Sequence, residues 1–474
     1  MCNLLVWAHQ ATVDYNYRVG PRITEIAKLI LQNGWLSEHH GSFQRIVDDG
    51  IKDDRKLLVG ESTATDFDNI KQLLAQKLLE GPEIEIGGDP AIAAIRGHLL
   101  RLGPGSTDLP EVWYMGLLPE SVKDVLEKRQ VNEAYEIRTN VFKIAQAVKH
   151  RPQSIGLEAD VAKLILIQSS GRSISLLAPD GSFQDFFSSL EQELKQKSSP
   201  PTRIVLAITA GKPNMVEVSQ KSYAALAQTV SQVLGDSDPE LKAMLLSATD
   251  TKVSEIIFLW QLLREIKKTA FGDRVRTFVG TRDFRDKNNR LDRPFAKSAL
   301  YLLKEADIIS SNDAEIHDLY AVHTRETKHE IPLAYKLREL PFRAIKVCHS
   351  ADGVIMDLGC RPEHIITSDS FRKDPSTFLT DVLRLAADGA TYAMDATAGL
   401  GRSANESMIR IYSGHVNEKS RQHERFNAMF LGITEPMPAG MISIPSARVV
   451  RTLGAVVGLG AVFDGLLLSF LMRE

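Results

Sequence analysis

The chain has 474 residues, of which 43 % are hydrophobic and 25 % charged, and its formal net charge is −3. That length implies two or three domains at roughly 100–200 residues each. The composition excludes an intrinsically disordered chain, and the lack of excess positive charge excludes the phosphate-neutralising footprint of a nucleic-acid binder.

The opening run MCNLLVWAHQ lacks a basic flank and is broken at once by His9 and Gln10, so it predicts a first β-strand and not a signal peptide. Asp14 follows in the run Thr12-Val13-Asp14, where a carboxylate suits sugar hydroxyls or serves as a helix cap or turn residue. Leu57–Glu61, Ile84–Ile86, Val112–Met115 and Ala162–Gln168 predict strands set among helices, and Gly87-Gly88-Asp89 precedes a predicted helix over Ala91–Leu102.

From about residue 200 the pattern changes. A polar linker, Lys195–Pro201, leads into a buried strand at Arg203–Ile208. Val253–Lys267 then places Ile256, Ile257, Trp260, Leu263 and Ile266 on one helical face, and strands follow at Arg276–Val279, Asp307–Ser310, Ala344–Cys348 and Gly353–Met356. Apolar strands alternating with helices predict a parallel sheet covered by helices.

Cys2, Cys348 and Cys360 are the cysteines, an odd number without metal-type spacing, which argues for a reducing compartment and a cytoplasmic protein. The apolar run Leu453–Met472 is long enough to be a tail anchor, but Asp464 and four glycines inside it favour a buried core helix in a protein without membrane partners.

Three clusters carry chemistry. Gly458-Leu459-Gly460 runs into an apolar helix, where backbone N–H groups could meet an anion; its simpler reading is a tight turn feeding a core helix. Asn312 and Glu315, at the end of a predicted strand, have the spacing of a capping box. Met394-Asp395-Ala396-Thr397-Ala398-Gly399-Leu400-Gly401-Arg402 imitates the first motif of an S-adenosylmethionine-dependent methyltransferase, but the polar text after it supplies no second strand with an acidic end.

In order and spacing these pieces resemble the ribokinase superfamily, and within it the ADP-dependent glucokinases and phosphofructokinases, over nearly the whole chain. The resemblance implies a three-layer α/β/α sandwich with an inserted smaller α+β lid. The large domain would comprise residues 1–35, 87–107 and 185–474, and the lid residues 36–86 and 108–184. It also implies phosphoryl transfer to the hydroxyl of a sugar or sugar phosphate, with ADP or ATP and Mg2+ as cofactors. Asp14, Gly87, Gly88 and Asp89 would then bind the sugar, and Asn312, Glu315 and Asp283 would serve the metal. Gly458 and Gly460 would form the anion hole, and position 461 would hold the catalytic base.

The chain departs from that family at several of these places. Ala461 stands where the family keeps its catalytic aspartate, and alanine cannot accept a proton. Phe278-Val279-Gly280-Thr281-Arg282-Asp283 lacks the histidine of the His-x-Glu metal motif, and Arg172 is the only cation near the expected lid Asn-Arg pair. Impaired turnover is therefore expected. Ala461 is then either a substitution in an active enzyme or part of the divergence of a natural pseudokinase with a binding or regulatory role.

Overall fold

In the computed structural model the described residues are 3–9, 12–35, 58–62, 64–87, 92–94, 109–119, 146–148, 153–159, 162–168, 184–209, 251–281, 283–285, 290–325, 331–350, 353–359, 362–394, 440–445 and 459–473, with residues 44, 47, 239 and 243 besides. The chain begins with β1 (Asn3–His9), β2 (Thr12–Arg18), α1 (Ile23–Gln32), β3 (Leu58–Ser62), α2 (Ala64–Lys77) and β4 (Glu83–Gly87). There follow β5 (Glu111–Pro119), β6 (Gln146–Val148), β7 (Gln153–Ala159), β8 (Ala162–Gln168), α3 (Gln184–Gln196) and β9 (Arg203–Thr209). The next elements are α4 (Thr251–Ile266), β10 (Val275–Gly280), α5 (Arg293–Lys304), β11 (Ile308–Asn312), α6 (Asp313–Thr324), α7 (Leu333–Glu339) and β12 (Ile345–His349). The last are β13 (Gly353–Asp357), α8 (Asp369–Lys373), α9 (Pro375–Met394), β14 (Met441–Pro445) and α10 (Leu459–Leu471).

Nine strands form the large sheet in the order β14-β13-β12-β11-β10-β9-β1-β5-β6. It is parallel from β12 through to β6, while β13 and β14 are antiparallel to their neighbours. Both faces are covered, as a parallel sheet requires. Side chains alternate across a strand, so Leu4, Val6 and Ala8 of β1 join Ile204, Leu206 and Ile208 of β9 in a core shared with α4, α5, α6 and α7. Leu5, Trp7, Val205 and Ala207 face the other way, toward α8, α9 and α10. These are the three layers of the expected sandwich.

Within the run that imitates a membrane span, Leu459–Leu471 form α10, and the residues from Ala461 to Met472 are buried except Asp464. Gly465 is placed by contact: a Cβ there would stand 2.7 Å from the carbonyl oxygen of Ala93, so the helix can approach residues 92–94 only as glycine. At the far end of α10, buried Asn3 donates from Nδ2 to the carbonyl of Met472 at 2.7 Å, occupying one of the acceptors that every helix C-terminus leaves open. Among the described residues no helix is long and apolar enough to cross a membrane.

A second sheet has five strands in the order β3-β8-β7-β2-β4. α1 and α2 pack on it through Ile23, Ile26, Ile30, Phe67, Ile70 and Leu74, against Tyr17, Ile155 and Leu157. β2 pairs with β4 and β7 and α1 packs on this sheet, while β5 pairs with β1 in the large sheet. Strand partners are set by hydrogen bonding across the sheet, and sequence adjacency does not report them. The segment Met394–Arg402 begins at the end of α9, a helix where the methyltransferase motif needs a strand, and residues 395–402 lie outside the described ones.

Candidate active site at the carboxyl edge of the large sheet

The parallel registers bring Gly280 of β10 beside Thr209 of β9 and Ser310 of β11, and Asn312 of β11 beside His349 of β12. These residues lie at or next to the carboxyl ends of their strands, the edge at which open parallel α/β sheets bind ligands. Two helices begin there. α6 follows β11 without a break, and the first turn of α10 lies against His349.

At the start of α6 the sequence spacing is realised as a capping box. The Asn312 side chain accepts from the Glu315 N–H at 2.9 Å, and Glu315 Oε2 accepts from the Asn312 N–H at 2.9 Å. Glu315 does more than cap. Its Oε1 accepts from Asn312 Nδ2 at 2.8 Å and its Oε2 from Thr281 Oγ1 at 2.7 Å, although only 6 % of the residue is exposed. A buried carboxylate is tolerated because charge-assisted hydrogen bonds replace its water. Thr281 Oγ1 also lies 2.7 Å from Ser311 Oγ, and the Thr281 N–H donates to the Ser310 carbonyl at 2.8 Å. The strand ends of β10 and β11 are thereby fastened to the helix start.

At α10, Ala461 is buried and supplies no polar atom. A Cβ on Gly460 would stand 3.2 Å from His349 Cε1, and the His349 ring packs on Phe463 with centroids 5.1 Å apart. Burial disfavours the charged imidazolium and lowers the His349 pKa to about 4, so the ring is neutral at pH 7. One turn after Ala461, Asp464 Oδ1 accepts from Ser310 Oγ at 2.5 Å, and Asp464 Oδ2 lies 3.2 Å from the Cβ that Gly280 lacks. Asp464 is partly exposed.

The sugar-site candidates come together in the small sheet. Asp14 is neither a cap nor a turn residue: it lies inside β2, opposite Glu85 of β4 and Ser154 of β7. Thr12, two residues earlier, pairs with Gly87 at the end of β4, so the Thr12–Asp14 run and the glycine pair share one ladder. Gly88, Asp89 and Gly458 lie outside the described residues. Asp283 is exposed, and its Oδ1 accepts from the Arg285 N–H at 3.0 Å. Arg285 itself is clamped by Asp318 of α6 through Nε and Nη2, each at 3.0 Å, and the hydrogen bonding raises its pKa.

Sequence reasoning missed His349, Ser310 and Asp464 as site residues. Asp464 did leave a signal, a lone carboxylate inside an apolar run, and its partner is 154 residues away in sequence. Cys348 carries no chemistry here: burial pushes its thiol well up, with Asp313 and Glu315 adding to the effect, so it stays protonated.

No family model matches the sequence, and no curated protein matches it. Solved structures do match. The last common ancestor of ADP-dependent phosphofructokinases from Methanosarcinales is 13 % identical, with a TM-score of 0.52 over 99 % of this chain and 94 % of that one. A phosphofructokinase from Pyrococcus horikoshii OT3 with AMP is also 13 % identical, with a TM-score of 0.52 over 99 % of this chain and 98 % of that one. A hypothetical ADP-dependent phosphofructokinase from the same organism is 14 % identical, with a TM-score of 0.51 over the same shares. A correspondence that takes in the small sheet as well as the large one, end to end, gives this chain the ribokinase-like fold of the ADP-dependent phosphofructokinases.

Proposed function

We propose that the chain is a kinase-type protein that binds ADP, with AMP as its product, at the carboxyl edge of the large sheet, and a sugar or sugar phosphate between that edge and the small sheet. The carrying observation is that α6 starts at the end of β11 and the first turn of α10 lies against His349 at the end of the neighbouring β12, within a fold matched over 99 % of the chain by the phosphofructokinase structures. Helix starts present N–H groups to phosphate oxygens. Asp14 and the Gly87 run are assigned to the sugar, and the small sheet acts as the lid that excludes water.

Magnesium suits this site in one way only. Among the described residues there is no group of three or more histidine, cysteine or carboxylate side chains able to cage a metal. Magnesium keeps most of its waters and draws other ligands from substrate phosphates, so the ionised Glu315 at a helix start is a fitting outer partner. Asn312 is used in holding Glu315, and Asp283 in holding its own loop. When bound, the ion would neutralise phosphate charge. The residues themselves orient: Thr281 and Asn312 fix the Glu315 carboxylate, and neutral His349 sets the floor of the α10 start.

Binding without turnover is the second reading, favoured by the missing proton acceptor at Ala461. Titration calorimetry with ADP, ATP and AMP, followed by thermal melts with fructose 6-phosphate or glucose, tests the proposal. ADP at about a hundred times its Kd should stabilise the fold by about 2.7 kcal/mol. No shift with any of these ligands would overturn it.

A further inference from the structure

We propose that Arg203, Arg276 and Arg372 form a binding site for a phosphate dianion at the amino edge of the large sheet, opposite the edge that carries the kinase site. The site is independent of the kinase reading. Arg203 opens β9 and Arg276 is the second residue of β10, and alternation along the two paired strands sets both on the face packed by α8 and α9. Thr209, at the carboxyl end of β9, is six residues from Arg203, about 20 Å at the rise of a strand.

The two guanidinium groups reach a single turn, the 3-10 helix Pro362–His364 and the residue after it. Arg203 Nη1 donates to the carbonyl of Ile365, and Arg276 Nε donates to the neighbouring carbonyl of His364 at 3.0 Å. Arg276 Nη1 donates also to the carbonyls of Asp273 and Val275, at 3.2 and 2.8 Å. These carbonyls fix the side chains without neutralising them, since among the described residues neither arginine has a carboxylate partner. Asp307, whose field reaches Arg203, uses Oδ2 to accept from the Thr277 N–H and hydroxyl at 2.7 and 2.9 Å. Arg372 of α8 adds a third positive charge, and its pairing with Asp369 at 3.2 Å is exposed and therefore weak. Burial and then the fields of Arg276 and Arg372 lower the Arg203 pKa to about 10, so like charges are held together here at a cost that an anion would relieve. Arginine's planar fork matches phosphate oxygens, and Nε and Nη2 of Arg203 and Nη2 of Arg276 are not used by the turn carbonyls. The ligand class is a phosphate dianion, free or as the monoester of a small metabolite.

The test compares thermal melts in sodium phosphate with melts in sodium chloride of equal ionic strength, for the unaltered chain, Arg203→Gln and Arg276→Gln. Phosphate should raise the unaltered midpoint saturably, and each substitution should weaken its apparent Kd by about tenfold or more, the worth of a hydrogen bond to a charged group. Glycerol 3-phosphate separates the two sources: tighter binding than phosphate assigns the site to a monoester and weaker or equal binding to the free ion, and either supports the site when the substitutions weaken it. Phosphate held at the kinase site would be untouched by both substitutions, so a saturable rise with an unchanged Kd in Arg276→Gln overturns the proposal, as does no rise at all. A purely structural role for the arginines would lower the midpoint equally in phosphate and in chloride, which also overturns it. Should the glutamine variants fail to fold, Arg276→Lys decides: it keeps the charge and loses the fork, and phosphate binding weakened severalfold supports the site while unchanged binding overturns it.

Discussion

The ring of His349 and the backbone of Gly460 lie in close contact: a Cβ on Gly460 would stand 3.2 Å from His349 Cε1. The end of β12 thus positions the start of α10, and the protonation state of one imidazole bears on both.

The pH dependence of stability follows from that contact. Burial depresses the folded-state pKa of His349 to about 4 from its ordinary 6.5, so between these values the unfolded chain binds more protons than the folded one. This contribution is fully present above about pH 6.5 and is lost as pH falls toward 4, at up to about 1.4 kcal/mol per pH unit. Urea unfolding of the unaltered chain and of His349→Gln, at pH values across that window, should show a steeper acid loss in the former. Parallel pH profiles would remove His349 from the account.

Glu315→Gln replaces an acceptor by a donor opposite Asn312 Nδ2 or Thr281 Oγ1, both of which now donate to the carboxylate. The loss should be about 1–3 kcal/mol in denaturant melts. If Glu315 also serves magnesium, the same variant should bind ADP equally with and without the ion, whereas a purely structural role leaves the magnesium effect intact.

Gly465→Ala forces a methyl to within 2.7 Å of the Ala93 carbonyl oxygen, a backbone atom that cannot swing aside. A cost of about 1–3 kcal/mol is expected from the shift of α10. Gly460→Ala meets only an imidazole edge and should cost less. Thermal melts of the two variants compare them directly, and an equal loss would place the tight contact elsewhere.

Ala461→Asp should raise transfer from ADP to a sugar phosphate by roughly 10²- to 10⁴-fold, since it puts a proton acceptor where the alanine side chain offers none. The measurement is kcat at saturating ADP with folding checked by circular dichroism. A folded, ADP-binding variant without a gain would locate the defect beyond position 461, in the Thr281–Asp283 stretch or in the lid.

Much of the large sheet was legible because its strands are buried on both faces. A run such as Arg203–Thr209, apolar at nearly every position, has few alternatives, and the strands at 275–280, 308–312, 345–349 and 353–357 stand within two residues of their expected limits. The Asn312–Glu315 spacing likewise determined a capping box, since its bonds close within one helical turn. The strands that were missed are β2, β6, β7 and β14; in β7, Ser154 and Glu158 alternate with Ile155 and Leu157, a mixed pattern that composition alone does not separate from a loop.

Only the tertiary structure decided which strands are partners and which side chains meet. Hydrophobic periodicity is a property of consecutive residues, and it records which face of an element is buried without recording what buries it. That β2 leaves the large sheet for the small one, that Asn3 closes the end of a helix 469 residues later, and that Asp464 finds Ser310 across 154 residues all depend on contacts closed between distant segments. The sequence alone determined the layers and the alanine at position 461. That Asp464 meets Ser310 and Gly280 was decided by packing, because α10 and the ends of β10 and β11 meet only in the folded chain.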